Sequence, residues 1–181
     1  MKLLYTVTSP IARKCRIIAR ELNLIDKMES YQDKFSSSNN QMFDYETRLK
    51  KSKKAICIIT DHLSDTKNLN LLDIGCSTGI MTNEYSKYFT EIIGIDIDKE
   101  AVEYAMKNFK KKNLTFLEGS YDSESIEMKR FDVITCSHIY EQVDSAEDLF
   151  DTIYKLLKPG GICYLVAGNR YKTVSYTHLR A

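Results

Sequence analysis

From residue 69 to residue 167, short apolar runs alternate with longer runs whose apolar residues recur at helical spacing. This alternation limits the available folds more than any other feature of the chain. The apolar runs at Leu69–Ile74, Glu91–Ile97, Leu114–Leu117, Phe131–Cys136 and Gly161–Ala167 read as strands. The intervening Thr78–Phe89, Lys99–Lys111 and Ser145–Leu157 read as helices, with a short helical stretch expected in Asp122–Lys129. Val102, Ala105, Met106 and Phe109 share one helical face, as do Leu149, Ile153, Leu156 and Leu157. Ser145 and Asp148 have the spacing of a capping box. Ile92–Ile95 and Ile162–Ala167 are almost continuously apolar, as expected of strands buried on both faces. The fold class is therefore α/β, a parallel sheet with helices on both faces.

The preceding stretch is of a different kind. All seven glycines lie between Gly75 and Gly168, and residues 1–70 carry 13 Lys/Arg against 8 Asp/Glu, which makes them net basic. Lys2–Val7 reads as a short strand, followed by a Ser9-Pro10 turn and a helix carrying Ile11, Cys15, Ile18 and Leu22. Residues 30–45 are polar and rich in Ser and Asn, which marks a linker. Residues 46–63 form a helix with Leu49, Ile56, Ile59 and Leu63 on one face. Arg48, Lys50, Lys51, Lys53 and Lys54 read as its solvated face.

Two features carry chemistry. In Leu71-Leu72-Asp73-Ile74-Gly75-Cys76-Ser77-Thr78-Gly79 a strand ends, small residues follow and a helix opens. Glycine there permits a sharp turn and close approach to a ligand, and free N–H groups at a helix start suit a polar or anionic group. A tight structural turn would read the same way. Asp96 lies 21 residues after Gly75, at the end of the next strand. A carboxylate so placed can accept both hydroxyls of a ribose, although Asp96 or Asp98 could equally cap the helix that follows. Together the two features suggest a nucleoside site. The dinucleotide fingerprint G-x-G-x-x-G does not fit, because Ser77 occupies its second glycine position and Ile80 follows Gly79. A Rossmann-fold NAD(P)-dependent oxidoreductase is thus the alternative, weakened at Ser77.

The ordered set LLDIGCSTG, IIGIDID, FDVITCSHIYEQV and LLKPGG resembles the class I S-adenosylmethionine-dependent methyltransferases over about residues 45–173. The resemblance implies a Rossmann-like sheet, S-adenosylmethionine as cofactor and methyl transfer to a small-molecule acceptor. Asp73 and Gly75 would lie beside the methionine moiety, Cys76 and Ser77 would belong to the same cofactor-binding turn, and Gly79 would permit close packing at the helix start. Asp96 would bind the ribose and Ile97 would lie against the adenine. Ser120 stands where many relatives carry an aspartate for the adenine amino group, leaving that contact weaker, made by backbone or moved to Asp122; Ser120 and Tyr121 are counted among the cofactor-binding residues. Ser137 and His138 would face the reacting sulfonium. His138 is either a base for the accepting atom or a wall of the pocket, and Tyr140 and Glu141 share that ambiguity. Cys76 and Cys136 read as small packing residues.

Both ends read as foreign to this domain. Residues 1–29 resemble the opening strand and helix of glutathione S-transferases, without the rest of that thioredoxin-like fold, so no glutathione site is carried over. Residues 174–181 (VSYTHLRA) resemble the translation of a sequencing transposon adapter. On that reading residues 46–173 are a methyltransferase domain truncated after its fifth strand, with an open sheet edge there, and the whole could be a chimeric gene fragment without activity. Five cysteines at irregular spacing suggest neither a disulfide framework nor a metal site. A net charge of +1 gives no field for nucleic acid. No run approaches the ~18 apolar residues of a membrane span, and a cytoplasmic location is expected.

Overall fold

A computed structural model describes residues 40–167 except 64 and 141, together with the backbone of residues 175–180. The expected N-terminal strand and helix, residues 30–39 of the expected linker, and Glu141 lie outside the described residues. The described chain opens with a 3-10 turn at Asn40–Phe43 and helix α1 at Tyr45–His62. Then follow β1 (Asn70–Ile74), α2 (Ile80–Tyr85), β2 (Glu91–Asp96), α3 (Lys99–Asn108), β3 (Leu114–Glu118) and α4 (Glu124–Glu127). β4 (Phe131–Ser137), α5 (Ala146–Leu156), β5 (Leu157–Ala167) and β6 (Ser175–Arg180) complete it. No helix among the described residues is long and apolar enough to cross a membrane.

The sheet order is β3-β2-β1-β4-β5-β6, with the first five strands parallel. Successive side chains on a strand point to opposite faces, and the core divides accordingly. Leu71, Ile92, Val133 and Tyr164 pack with Ala55, Ile56 and Ile59 of α1, Tyr85 of α2 and Val102 of α3. Leu72, Ile93, Ile134 and Leu165 face the other way, onto Leu149, Ile153 and Leu156 of α5. Each fully buried Leu or Ile contributes roughly 1.5–3 kcal/mol. Two sides of one sheet therefore explain why its strands are apolar throughout.

Local chemistry sets the element boundaries. Asp44, Asp98 and Ser145 cap α1, α3 and α5 by accepting the N–H of Thr47, Ala101 and Asp148. Helix α2 is shorter than the sequence pattern predicts. Its last turn tightens into Lys87 N–H to Glu84 and Tyr88 N–H to Tyr85 carbonyl bonds. Lys111 and Asn113 then reach across to bond the carbonyls of Asn83, Ser86 and Phe89, satisfying oxygens that a longer helix would have used.

β5 begins four residues earlier than predicted. Its register against β4 jumps from Phe131↔Leu157 to Val133↔Ile162, so Lys158–Gly161 bulge out of the ladder. Gly160 has a φ of 79° there, and Lys158 pairs with Asp132 at 2.8 Å. A second correction concerns the far edge. The sequence reading leaves β5 open, but Ser175–Arg180 pairs antiparallel along Ile162–Ala167. The N–H and C=O groups on that edge need partners, and a six-residue run containing Tyr and Thr is suited to supply them.

Candidate functional site

The chain winds from β1 outward through β2 to β3, then returns to place β4 on the other side of β1. The carboxyl ends of β1 and β4 therefore diverge, and ligands of open α/β sheets bind in the crevice so formed. A cleft of about 620 Å³ occupies that position.

The turn after β1 forms its floor. Gly75 has a φ of 78° and lets its own N–H and that of Cys76 both reach the Ile95 carbonyl, at 2.8 and 3.2 Å. Ser77 is also left-handed, with a φ of 50°. Its N–H donates to Asp96 Oδ2 at 2.7 Å, and the Asp98 N–H donates to Asp96 Oδ1 at 2.9 Å. Both oxygens of Asp96 are thus oriented by backbone, while Asp98 serves as the cap of α3. Burial pushes the Asp96 carboxyl above its ordinary range, against the pull of these two N–H groups.

Asp73 lies deeper, with 6% of its surface exposed. The hydroxyls of Thr82 and Thr135 donate to its two oxygens, each at 2.6 Å. Burial still dominates and holds the carboxyl at about 6. Arg48 reaches the same region from α1. Its guanidinium lies against the sulfurs of Met42 and Met81. Burial lowers its pKa, and the charges of Asp73 and Asp96 oppose that. The Thr78 hydroxyl donates to the Met42 carbonyl at 2.8 Å, which ties the 3-10 turn to the glycine-containing loop. Beneath these groups the buried Tyr85 hydroxyl has no hydrogen-bond partner among the described residues, and its pKa is raised by burial and then by Asp73.

A family model described as a methyltransferase domain matches residues 72–165, just over half of the chain. The chain belongs to the methyltransferase-domain family. The match runs from within β1 to within β5 and takes in the carboxyl ends of β1, β2, β3 and β4. Among curated proteins, the domain is 26% identical over 147 residues to a ubiquinone biosynthesis O-methyltransferase of Proteus mirabilis, covering 77% of this chain and 60% of that protein. It is 34% identical over 108 residues to the protein of the same name from Pelagibacter ubique, covering 58% and 44%. The chain thus spans about half to three-fifths of the length of the curated relatives it first matches. Among solved structures, the YcgJ protein from Bacillus subtilis is 26% identical with a TM-score of 0.55, covering 64% of this chain and 51% of that one. The plantazolicin methyltransferase BpumL, solved in complex with a desmethyl analogue and SAH, has a TM-score of 0.62 at 24% identity, covering 75% and 52%. The methyltransferase domain has the class I, Rossmann-like fold of these proteins.

Within the methyltransferase domain, Asp73, Gly75, Cys76, Ser77, Asp96, Ile97, Ser120, Tyr121, Ser137 and His138 all line the cleft. Gly79 does not. A Cβ there would come within 2.7 Å of Ala105 and the Phe116 ring, so its role is to let the start of α2 approach α3 and β3. Asp122 also lines the cleft, near the position left empty of an acid at Ser120. His138 has a φ of 60° and donates its N–H to the Val166 carbonyl at 2.7 Å. Tyr140 packs on the apolar core instead, and Glu141 lies outside the described residues. Cys76 and Cys136 are buried thiols, and burial raises the Cys76 thiol well above its ordinary value. Neither has the exposed, electropositive setting of a reactive thiol.

The sequence reading missed Arg48, Lys51 and Lys54, which line the cleft although their helix face was read as solvated. A signal existed for Arg48. The buried stripe of α1 includes Ser52, Ala55, Ile56 and Ile59, and Arg48 continues it one turn toward the N-terminus.

Proposed function

We propose that this methyltransferase domain binds S-adenosylmethionine in the cleft and transfers its methyl group to a hydroxyl oxygen of a small acceptor. The observation that carries the reading is Asp96, whose two carboxylate oxygens are aimed by the Ser77 and Asp98 amides at the mouth of the glycine turn. The donor set fits the cofactor's chemistry. A ribose diol needs an acceptor pair, which Asp96 supplies. An adenine needs an apolar platform, and Ile97 is 38% exposed beside it. An amino-acid zwitterion needs a cation and an anion close together, and Arg48 and Asp73 lie in that relation. The accepting atom is taken as oxygen because the curated relatives are named as O-methyltransferases.

When bound, the cofactor supplies a methyl group activated on a sulfonium. The chain's contribution is to orient and to exclude water. Gly75 and Ser77 shape the floor, Asp73 and Arg48 hold the zwitterion, and Ser137 and His138 border the space between donor and acceptor. Holding reactants in line supplies much of the acceleration of such a displacement. Among the described lining residues His138 is the one imidazole, and on this reading it would take the acceptor's proton.

Titration calorimetry of the chain with S-adenosylhomocysteine tests the reading. Binding is expected, and Asp96→Ala should weaken it at least about tenfold, since charge-assisted hydrogen bonds contribute ~1.5–3 kcal/mol each. A folded chain that gives no heat would overturn the proposal. Unchanged affinity in Asp96→Ala would remove Asp96 from the site.

A further inference from the structure

The start of helix α1 is tied to the start of α2 and to α3. The 3-10 turn Asn40–Phe43 runs directly into the Asp44 cap of α1. Its Met42 carbonyl accepts the Thr78 hydroxyl, just before α2. Its Phe43 ring meets the ring of Tyr104 on α3 edge to face, with centroids 5.1 Å apart and planes at 83°. An edge-to-face arrangement is a favoured geometry for an aromatic pair. From the same turn the Met42 side chain lines the cleft, with its sulfur against the Arg48 guanidinium.

The ring pair is not part of the core. Phe43 is 41% exposed and Tyr104 36%, and neither belongs to the two apolar clusters that pack the sheet. Neither lines the cleft. What the pair fixes is the position of the turn, and through the turn the wall made by Met42 and Arg48. Arg48 has use for such a wall. A guanidinium carries five donors, and thioether sulfurs are weak acceptors. The contacts with Met42 and Met81 therefore give Arg48 a direction without exhausting its capacity for an anionic partner. A long side chain that is ordered beforehand loses less freedom when its ligand arrives.

We propose that Phe43 and Tyr104 are positioning residues for the cofactor: their contact holds the Asn40–Phe43 turn against α3, so that Met42 keeps Arg48 turned toward the carboxylate of the bound amino-acid moiety. This rests on the S-adenosylmethionine reading above and deepens it by two residues outside the cleft. Cofactor affinity then depends on a ring contact at the protein surface.

The test measures dissociation constants of the full chain for S-adenosylhomocysteine and for methylthioadenosine, by calorimetry or ligand-observed NMR. The second ligand keeps the nucleoside and lacks the amino-acid moiety. Tyr104→Ala and Phe43→Ala should each weaken S-adenosylhomocysteine about two- to tenfold, the range that one aromatic pair supplies. The double variant should be no weaker than the poorer single variant, since both remove the same contact. Tyr104→Phe keeps the ring and should bind as the unaltered chain does. Methylthioadenosine should bind all of them alike, a selectivity that a general loosening of the fold would not produce. Tyr154→Ala removes an exposed aromatic on α5 and should change neither affinity. Unchanged affinity for S-adenosylhomocysteine in both alanine variants, additive losses in the double variant, or equal losses for the two ligands would overturn the proposal. Failure of the unaltered chain to bind S-adenosylhomocysteine would instead overturn the reading beneath it.

Discussion

Asp73 should make the unliganded domain less stable at neutral pH than a neutral side chain of the same shape would. Its carboxyl has an ordinary value of 3.8 and is pushed to about 6 in the fold, chiefly by burial. One pKa unit corresponds to about 1.4 kcal/mol, so a separation of about two units amounts to roughly 3 kcal/mol. The sign follows from proton binding. Between pH 4 and pH 6 the folded state holds a proton that the unfolded state has released, so stability falls as pH rises through that window. Below pH 4 the carboxyl is neutral in both states and the penalty is absent. Asp73→Asn removes the charge and keeps the shape. Its carbonyl can accept one threonine hydroxyl and its amide can donate to the other, preserving both bonds now made by Thr82 and Thr135. The value of about 6 already includes the attraction of Arg48 and the two threonine hydrogen bonds, so nothing further is subtracted. Asp73→Asn should therefore be about 3 kcal/mol more stable at pH 7. Urea titrations from pH 4 to pH 7 read this directly, because the other carboxyls titrate in both proteins and the difference between the curves isolates Asp73. The gap should open between pH 4 and pH 6. A gap independent of pH, or a variant less stable at pH 7, would refute the assignment of burial as the dominant influence.

Gly79→Ala should destabilise the domain by about 2–4 kcal/mol, combining a left-handed backbone with a Cβ forced onto Ala105 and Phe116; an unchanged thermal midpoint would contradict that packing. Ser145→Ala removes the acceptor for the Asp148 N–H and should cost about 1 kcal/mol, with an unchanged dependence on urea concentration. Equal stability would mean that the start of α5 finds another partner.

The sheet was legible in the sequence because nearly every strand residue from Leu71 to Ile74 and from Ile92 to Ile95 is apolar, a pattern that a two-sided core imposes. The helix caps at Asp98 and Ser145 were legible because capping is local chemistry. The early end of α2 was not, since the groups that satisfy its carbonyls come from Lys111 and Asn113, more than twenty residues away. At the site, Asp73, Gly75 and Asp96 stood out by spacing along adjacent strands. Arg48 was hidden by its neighbours. A cation among four lysines reads as solvated surface, and only the phase of the buried stripe on α1 places it inside.

Ser77 and His138 are the two residues other than glycine with positive φ among those described, and both line the cleft. Each left-handed residue carries a conformational penalty of roughly 1–2 kcal/mol. With the charge on Asp73, three locally unfavourable choices meet at the carboxyl ends of β1 and β4. Frustration in this fold is therefore not spread through the core but gathered at one crevice. Selection for heat resistance alone would draw substitutions to that crevice first, and would dismantle the pocket before it touched the sheet.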